Sequence, residues 1–197
     1  MVHPVFDNLP TTIFERMSGL ARQHSAINLG QGFPDDQGPL PVCEAAARAL
    51  IESSNQYPPM RGLPQLRAAV AGHYARTQDL ALDPDTEITV TSGATEALAA
   101  AFLSLISPGD EVVLFQPLYD AYLPLVRRAG GVPKLVSLKP PHWRFTRPML
   151  EAAFSDRTKM VVLNSPLNPA GVVTPDEDLA LLAEFCVRHD VVAVCDE

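Results

Sequence analysis

Four polar clusters in the sequence each stand directly after a short, largely apolar run. Their side chains include hydroxyls, amides, a phenol and carboxylates, which are groups that bind ligands or move protons. In open α/β sheets, ligands bind beyond the carboxyl ends of the strands. The clusters therefore predict a ligand site at one edge of a sheet. They are Ser92–Glu96, Pro117–Tyr119, Asn164–Gly171 and Cys195–Glu197.

The first cluster combines a predicted strand end, a glycine and a predicted helix start. A helix N-terminus carries unpaired N–H groups and a partial positive charge, which suit a phosphate dianion. Gly93 lets a ligand approach the backbone, and Ala94 and Thr95 supply N–H groups and a hydroxyl. A simple helix cap explains the same residues, so both interpretations stay open. The Gly-Lys-Ser/Thr of a Walker loop is absent.

Tyr119 and Asn168 also allow two interpretations each. Tyr119 follows a predicted strand, so its ring could cover a flat heteroaromatic ligand, although a lone aromatic is more often part of a core. Asn168 lies in a loop rich in proline and glycine. An asparagine there can hold a turn, and it can equally donate its amide to a ligand oxygen.

Asp196 is the most informative residue of the four clusters. It follows five apolar residues, Val191–Cys195, that predict a buried strand. An unpaired carboxylate in such a place is strongly destabilising, so it needs a cationic or N–H partner. A helix N-terminus, an arginine or a protonated ring nitrogen of a ligand can each fill that role.

The elements that position these clusters follow from the hydrophobic pattern. Residues 1–40 predict an arm with a short helix from Ile13 to about Arg22, and helices are predicted at 41–53 and from Pro64 to about Thr77. From residue 86, short apolar strands alternate with helices, which indicates right-handed βαβ units and a buried, mostly parallel sheet. The sequence thus predicts an α/β fold. We assign residues 1–40 to an arm and the start of a small domain, and 41–197 to part of a larger domain.

The alternating region divides into nine predicted elements. The strands are Glu87–Thr91, Glu111–Phe115, Val132–Leu138, Met160–Leu163 and Val191–Cys195, and the helices are Ala94–Ile106, Tyr119–Ala129, Arg147–Phe154 and Pro175–His189.

Composition narrows the possible partners. The net charge of −8 and pI near 5.0 argue against nucleic acid or an anionic membrane surface. Cys43, Cys186 and Cys195 are an odd number, and their spacing suits neither a disulfide framework nor a zinc site. The sequence therefore predicts no bound metal. Neither a signal peptide nor a membrane-spanning run is visible, so a cytoplasmic protein is predicted.

Together, in order and spacing, the motifs resemble the class I/II aminotransferases, which are fold-type I pyridoxal-phosphate enzymes. The opening Leu9–Phe14, with 55–60 and 140–142, is most similar to the methionine, kynurenine and glutamine aminotransferases. The motifs that carry the resemblance are 27–35 (Ile-Asn-Leu-Gly-Gln-Gly-Phe-Pro-Asp), 55–57 (Asn-Gln-Tyr), 62–67, 91–97 (Thr-Ser-Gly-Ala-Thr-Glu-Ala), 108–112, 117–119, 164–171 (Asn-Ser-Pro-Leu-Asn-Pro-Ala-Gly) and 195–197.

The resemblance implies a three-layer α/β/α domain and a role for each candidate residue. Ala94 and Thr95, next to Gly93, would bind the cofactor phosphate, and Tyr119 would stack on the pyridine ring. Asn168 would hydrogen-bond the 3′-oxygen. Asp196 would pair with the ring nitrogen and keep it protonated, so that the ring accepts electrons when the substrate Cα–H bond breaks.

The resemblance also implies substrates and a partner subunit. Gly32 would contact the amino-acid carboxylate through its backbone. Tyr57 would reach the cofactor phosphate of a second subunit, which implies a homodimer. The substrates would be an amino acid and a 2-oxo acid.

One departure from the family is decisive for activity. The Schiff-base lysine of these enzymes lies in a small-residue motif well beyond the strand that ends at Asp196. The sequence contains only three lysines, and none has that motif: Lys134, Lys139 and Lys159. The 197-residue chain by itself is therefore expected not to transaminate.

Three alternatives remain at this level. A carbon–sulfur β-lyase would use the same residues on the same fold. A non-catalytic remnant would bind a partner or the cofactor weakly. A nucleotide-binding dehydrogenase domain ranks lower, because Gly30 and Gly32 lack the third glycine of its fingerprint.

Overall fold

The computed structural model of the chain describes residues 3–7, 11–32, 34 and 36–197. The backbone separates into two compact units. The larger one contains Ser92–Glu197 and is called the sheet unit, and the smaller one lies within Pro10–Thr91 and is called the helical unit. The predicted domain boundary at residue 40 concerns a complete enzyme, and it stays a prediction. The end of the 27–35 motif, at Asp35, lies outside the described residues.

The helical unit contains three helices close to their predicted bounds. α1 spans Ile13–Gln23 and begins after Thr12, whose hydroxyl accepts a hydrogen bond from the N–H of Glu15 at 3.2 Å. α2 spans Leu40–Glu52, and α3 spans Pro64–Thr77. Both begin with proline in the first turn, where the missing N–H is not needed.

The predicted strand Glu87–Thr91 is wrong. In this stretch the N–H of Val90 donates instead to the carbonyl oxygen of Arg61 at 3.1 Å, and no ladder forms with any strand of the described residues. An apolar, β-branched run becomes a strand only where a neighbouring strand pairs with it. Within the stretch 87–91, the side chain of Ile88 is nevertheless buried.

The sheet unit holds one sheet of four parallel strands in the order β2-β1-β3-β4. The predicted strands in this unit are confirmed, with ends that differ by at most two residues. They are β1 Glu111–Gln116, β2 Val132–Ser137, β3 Thr158–Asn164 and β4 Val192–Asp196.

Helices cover both faces of this sheet. On one face α6 and α7 pack against strand residues such as Val161, and on the other face α4 and α5 pack against residues such as Val162. The α/β prediction with three layers is confirmed. The four helices are α4 Ala94–Leu105, α5 Tyr122–Arg128, α6 Arg147–Ala153 and α7 Asp176–His189.

Helix α5 begins three residues later than the predicted Tyr119. Its first i→i−4 hydrogen bond within the described residues runs from the N–H of Leu125 to the carbonyl of Ala121, at 3.2 Å. Pro124 lacks an N–H and cannot donate to the carbonyl of Asp120, so the helix cannot extend backward through that position. Tyr119 therefore lies in the connection between β1 and α5.

Candidate active site

The carboxyl ends of the parallel strands meet at one edge of the sheet. At this edge β1 leads to Tyr119, β3 leads into the loop 165–175, and β4 ends at Asp196. Strands β3 and β4 are neighbours, with Asn164 opposite Asp196. Three of the four predicted clusters are thus brought to the same edge.

The remaining cluster, Ser92–Glu96, lies at the N-terminal end of α4. The turn 107–110 joins the end of α4 to the first residue of β1, so the C-terminal end of α4 lies at the amino edge of the sheet. Its 12 residues extend about 18 Å, which matches the length of a strand. Ala94 and Thr95 therefore lie toward the carboxyl edge, and Gly93 precedes them with φ of 80°. That angle favours glycine.

Asp196 projects from the face of the sheet that α4 and α5 cover. Its register partner is Asn164, and Val194, two residues earlier, packs in the core on that face. One carboxylate oxygen, Oδ2, accepts a hydrogen bond from the hydroxyl of Tyr122. The backbone carbonyl accepts one from Asn164 Nδ2 at 2.8 Å. The carboxylate is thereby paired with a phenol, whereas an arginine or a helix N-terminus was among the alternatives.

Tyr119 is half-buried beside this carboxylate's partner. Its ring meets that of Tyr122 edge to face, with centroids 5.8 Å apart and an interplanar angle of 71°. The ring also packs against the core on the α4/α5 face. Part of its surface stays accessible, so the ring is anchored without being fully enclosed.

The loop after β3 is tied to the strand by Asn164. Its Oδ1 accepts a hydrogen bond from the N–H of Asn168 at 2.7 Å, and the N–H of Leu167 donates to the carbonyl of Val172 at 2.9 Å. The side chain of Asn168 is exposed. A fixed backbone with an exposed amide is an arrangement that can present a donor to a ligand.

Two site residues were not singled out by the sequence. Tyr122 was placed inside a predicted helix, and its spacing of three from Tyr119 was the only signal that the two rings could meet. Asn164 stood at the strand end, but its double role depends on the register with β4. Burial, and then the hydrogen bond to Asp196, raises the pKa of Tyr122 above its usual value.

Gly32 and Tyr57 belong to the helical unit. Gly32 is exposed, with no atom within 4 Å of where a Cβ would lie. Tyr57 is 98% exposed. Their predicted roles toward substrate and a second subunit stay predictions.

The three lysines lie away from Asp196. Lys134 approaches Glu111, the first residue of β1, at 3.8 Å, and Lys159 is the second residue of β3. Both are therefore on the amino side of the sheet. Lys139 follows β2, which is separated from β4 by two strands, a distance of about 14 Å at the usual strand spacing.

Two further properties concern the described part of the chain. No group of three or more His, Cys, Asp or Glu side chains there is arranged to hold a metal ion. None of its helices combines the length and the apolar character that crossing a membrane requires.

The family model described as Aminotransferase class I and II matches residues 24–197. The chain belongs to this family. Family membership implies pyridoxal phosphate as the cofactor. The resemblance inferred from the motifs is confirmed, and so is the assignment to an enzyme family.

Individual relatives of this chain support the same family assignment. Methionine aminotransferase of Escherichia coli is 45% identical over 189 residues, which are 96% of this chain and 49% of that protein. Kynurenine–oxoglutarate transaminase 3 of Rattus norvegicus is 37% identical over 97% of this chain and 44% of its own length. The solved structure of N-succinyldiaminopimelate aminotransferase from Mycobacterium tuberculosis has a TM-score of 0.95 at 42% identity, covering 100% of this chain and 52% of that one. The chain thus spans about half the length of these relatives.

Proposed function

We propose that this chain is the cofactor-binding part of a pyridoxal-phosphate-dependent aminotransferase that moves an amino group between an amino acid and a 2-oxo acid. The observation that carries the proposal is the Asp196 carboxylate. It ends a strand at the carboxyl edge of the sheet, on the face covered by α4, with Oδ2 held by Tyr122. Within the described residues Oδ1 accepts no hydrogen bond. A protonated ring nitrogen is a suitable partner for this oxygen.

The N-terminus of α4 is the proposed phosphate site. Its first-turn N–H groups, at Ala94 and Thr95, and the Thr95 hydroxyl are donors, and all of these residues are exposed. A Cβ at Gly93 would meet no atom within 4 Å, so space is open there for a ligand. The helix dipole and the N–H groups favour a dianion.

The remaining contacts complete a site for a flat ring. Tyr119 offers the accessible part of its ring for stacking, and Asn168 offers an exposed amide for the 3′-oxygen. Bound in this way, the cofactor supplies an electron-accepting ring to the substrate Cα. Asp196 contributes a negative charge that holds the proton on the ring nitrogen.

The proposal extends to the substrate and the assembly. The backbone of Gly32 would contact the substrate carboxylate. Tyr57, with 98% of its surface exposed, would reach the phosphate bound by a second subunit of a cytoplasmic homodimer. Without a lysine at the carboxyl edge near Asp196, the 197-residue chain binds the cofactor noncovalently and does not transaminate.

The other candidate functions gain no support. The three relatives compared above are named aminotransferases or transaminases. These comparisons therefore give no support to a β-lyase, or to a non-catalytic remnant that binds a partner or the cofactor weakly. The dehydrogenase alternative gains no support from them either.

The test is pyridoxal phosphate binding by the 197-residue chain, measured by equilibrium dialysis. Wild type is expected to bind, and Asp196→Asn and Thr95→Val are each expected to bind more weakly. Asp156→Asn is the matched control, because Asp156 is an exposed carboxylate in the turn before β3. Equal affinity of wild type and Asp196→Asn would contradict the assignment of the ring nitrogen. Unchanged affinity for pyridoxal, which lacks the phosphate, would contradict the phosphate site.

A further inference from the structure

Tyr122 is a buried polar residue that the proposed cofactor contacts do not include. It is the first residue of α5 and is 3% exposed. A buried phenol needs a hydrogen-bond partner. The hydroxyl finds it in Oδ2 of Asp196, 74 positions further along the chain.

The hydrogen bonds around Asp196 divide its three oxygens into two held and one open. The carbonyl oxygen accepts from Asn164 Nδ2 at 2.8 Å and from the N–H of Ser165 at 3.2 Å. Oδ2 accepts from Tyr122. Among the described residues, only the phenol of Tyr122 hydrogen-bonds to the carboxylate group itself. Tyr122 therefore sets the rotation of the carboxylate and, with it, the direction in which Oδ1 points.

The ring of Tyr122 acts on a second proposed cofactor contact. It lies edge to face with the ring of Tyr119 at 5.8 Å. Edge-to-face pairs have a preferred geometry, so this contact restrains the plane of Tyr119. One side chain thus touches both the residue proposed to stack on the cofactor ring and the residue proposed to pair with its nitrogen.

We propose that Tyr122 is a positioning residue, which sets the direction of Asp196 Oδ1 and the plane of Tyr119 so that both fit one ring. The inference rests on the proposed function. Tyr122 itself does not contact the cofactor. It acts through Asp196, and its phenol stays a donor because burial raises its pKa above the usual value.

A role through Asp196 has a consequence that a merely structural role lacks. Removing the hydroxyl should matter only while the carboxylate is present. We therefore measure pyridoxal phosphate affinity of the chain for wild type, Tyr122→Phe, Asp196→Asn and the double variant. Tyr122→Phe alone should weaken binding about three- to tenfold, which is the range for loss of one hydrogen bond. In the Asp196→Asn background it should change the affinity less than about twofold.

A matched control removes a phenol elsewhere. Tyr74→Phe, in α3 of the helical unit, should leave the affinity unchanged. Independent, additive effects of Tyr122→Phe and Asp196→Asn would overturn the positioning role while leaving the proposed function intact. Failure of the wild-type chain to bind pyridoxal phosphate would instead overturn the proposed function.

A second measurement needs no cofactor and no change at Tyr122. The ¹³Cζ signal of Tyr122 in tyrosine-labelled protein reports the ionisation of the phenol, which for a free tyrosine occurs at about pH 10. In wild type it should titrate at higher pH, and Asp196→Asn should move the titration to lower pH by removing the acceptor charge. A titration that Asp196→Asn leaves unchanged would overturn the proposal, because the phenol would then not be bound to the carboxylate.

Discussion

Asn164 ends β3 beside Asp196, and its Nδ2 donates a hydrogen bond of 2.8 Å to the backbone carbonyl of Asp196. The Oδ1 of the same side chain accepts from the N–H of Asn168 at 2.7 Å. A single amide therefore joins the end of β4 to the loop that carries Asn168. Both neighbours are proposed cofactor contacts, so their relative position depends on a residue between them.

Replacing Asn164 by alanine should loosen both neighbours. We expect Asn164→Ala to speed amide hydrogen exchange at Asn168 and to lower the free energy of unfolding by about 1–2 kcal/mol, since one partly buried and one exposed hydrogen bond are lost. Exchange measured by NMR checks the first, and chemical denaturation checks the second.

The control is Asn55→Ala in the helical unit. Asn55 also donates an amide hydrogen bond to a carbonyl, that of Leu50 at 2.9 Å, but it is exposed. Asn55→Ala should lower the free energy of unfolding by less than about 0.5 kcal/mol. If exchange at Asn168 were the same in Asn164→Ala and wild type, the amide would not hold this loop.

The buried carboxylate of Glu111 is expected to make the stability of the fold depend on pH. Its carboxylate is 2% exposed, and it accepts hydrogen bonds from Ser155 at 2.6 Å and Arg157 at 2.7 Å, with Lys134 at 3.8 Å. The hydrogen bond from Ser155, then that from Arg157, lowers the pKa of Glu111 against the opposing effect of burial.

A carboxyl whose pKa is lower in the folded than in the unfolded chain stabilises the fold above the unfolded value, about 4.3 for glutamate. This contribution is lost as pH falls from there through the lower folded pKa. Glu111→Gln should reduce the free energy of unfolding at pH 7 by about 1–3 kcal/mol, and it should flatten the loss of stability as pH falls below about 4.3. Denaturation series over this range test it, with exposed Glu151→Gln as control. Parallel pH curves for wild type and Glu111→Gln would contradict the prediction.

The fold was largely predictable because buried parallel strands leave a simple pattern. β1 is apolar between its two end residues, as a strand covered on both faces must be. The stretch 87–91 has the same local pattern but no pairing partner among the described strands, and pairing is a long-range property. Local sequence could not show that difference.

The site was predictable only where a residue's role follows from its position at a strand end. Asp196 stood out because a carboxylate after an apolar run needs a partner. The identity of that partner, Tyr122, depends on how α5 packs on the sheet, because Tyr122 and Asp196 lie 74 residues apart in sequence. The local pattern carried no information on that contact.

The open side of β4 predicts self-association of the 197-residue chain. Within the described residues β4 pairs only with β3, and its Val192, Ala193 and Cys195 are exposed. Unpaired apolar strand edges template association with other chains. Sedimentation velocity should show oligomers that increase with concentration, and thermal unfolding should be broad. Ala193→Lys should reduce the association, because a charged side chain on the edge strand disfavours pairing with a strand of another chain.

The control for that change is Ala152→Lys, an exposed alanine on α6. It adds the same charge away from the edge and should leave association unchanged. A monodisperse wild-type monomer with a sharp, cooperative thermal transition would show that the edge of β4 does not associate.

Asp196 makes the strongest prediction for activity, in a longer protein that joins this chain to the lysine region. Asp196→Ala removes the charge that is proposed to hold a proton on the cofactor nitrogen. The loss of a charge-assisted hydrogen bond in a sheltered site should raise the barrier by about 3–5 kcal/mol, which lowers turnover by roughly 10²- to 5 × 10³-fold. Asp196→Glu should keep more activity, because it retains the charge while shifting its position.

Cofactor affinity should fall less than turnover in Asp196→Ala. The phosphate contacts proposed at Ala94 and Thr95 are untouched, and so is the covalent link that the lysine region would provide. Single-turnover kinetics with a good amino donor separate these effects, since they report the chemical step without product release. Turnover of Asp196→Ala within about threefold of wild type, equivalent to roughly 0.6 kcal/mol, would be too small for a charge that stabilises the reacting centre. In that case the role of Asp196 would be structural, through its position at the end of β4 and its hydrogen bond with Tyr122. The ring nitrogen would then need another partner.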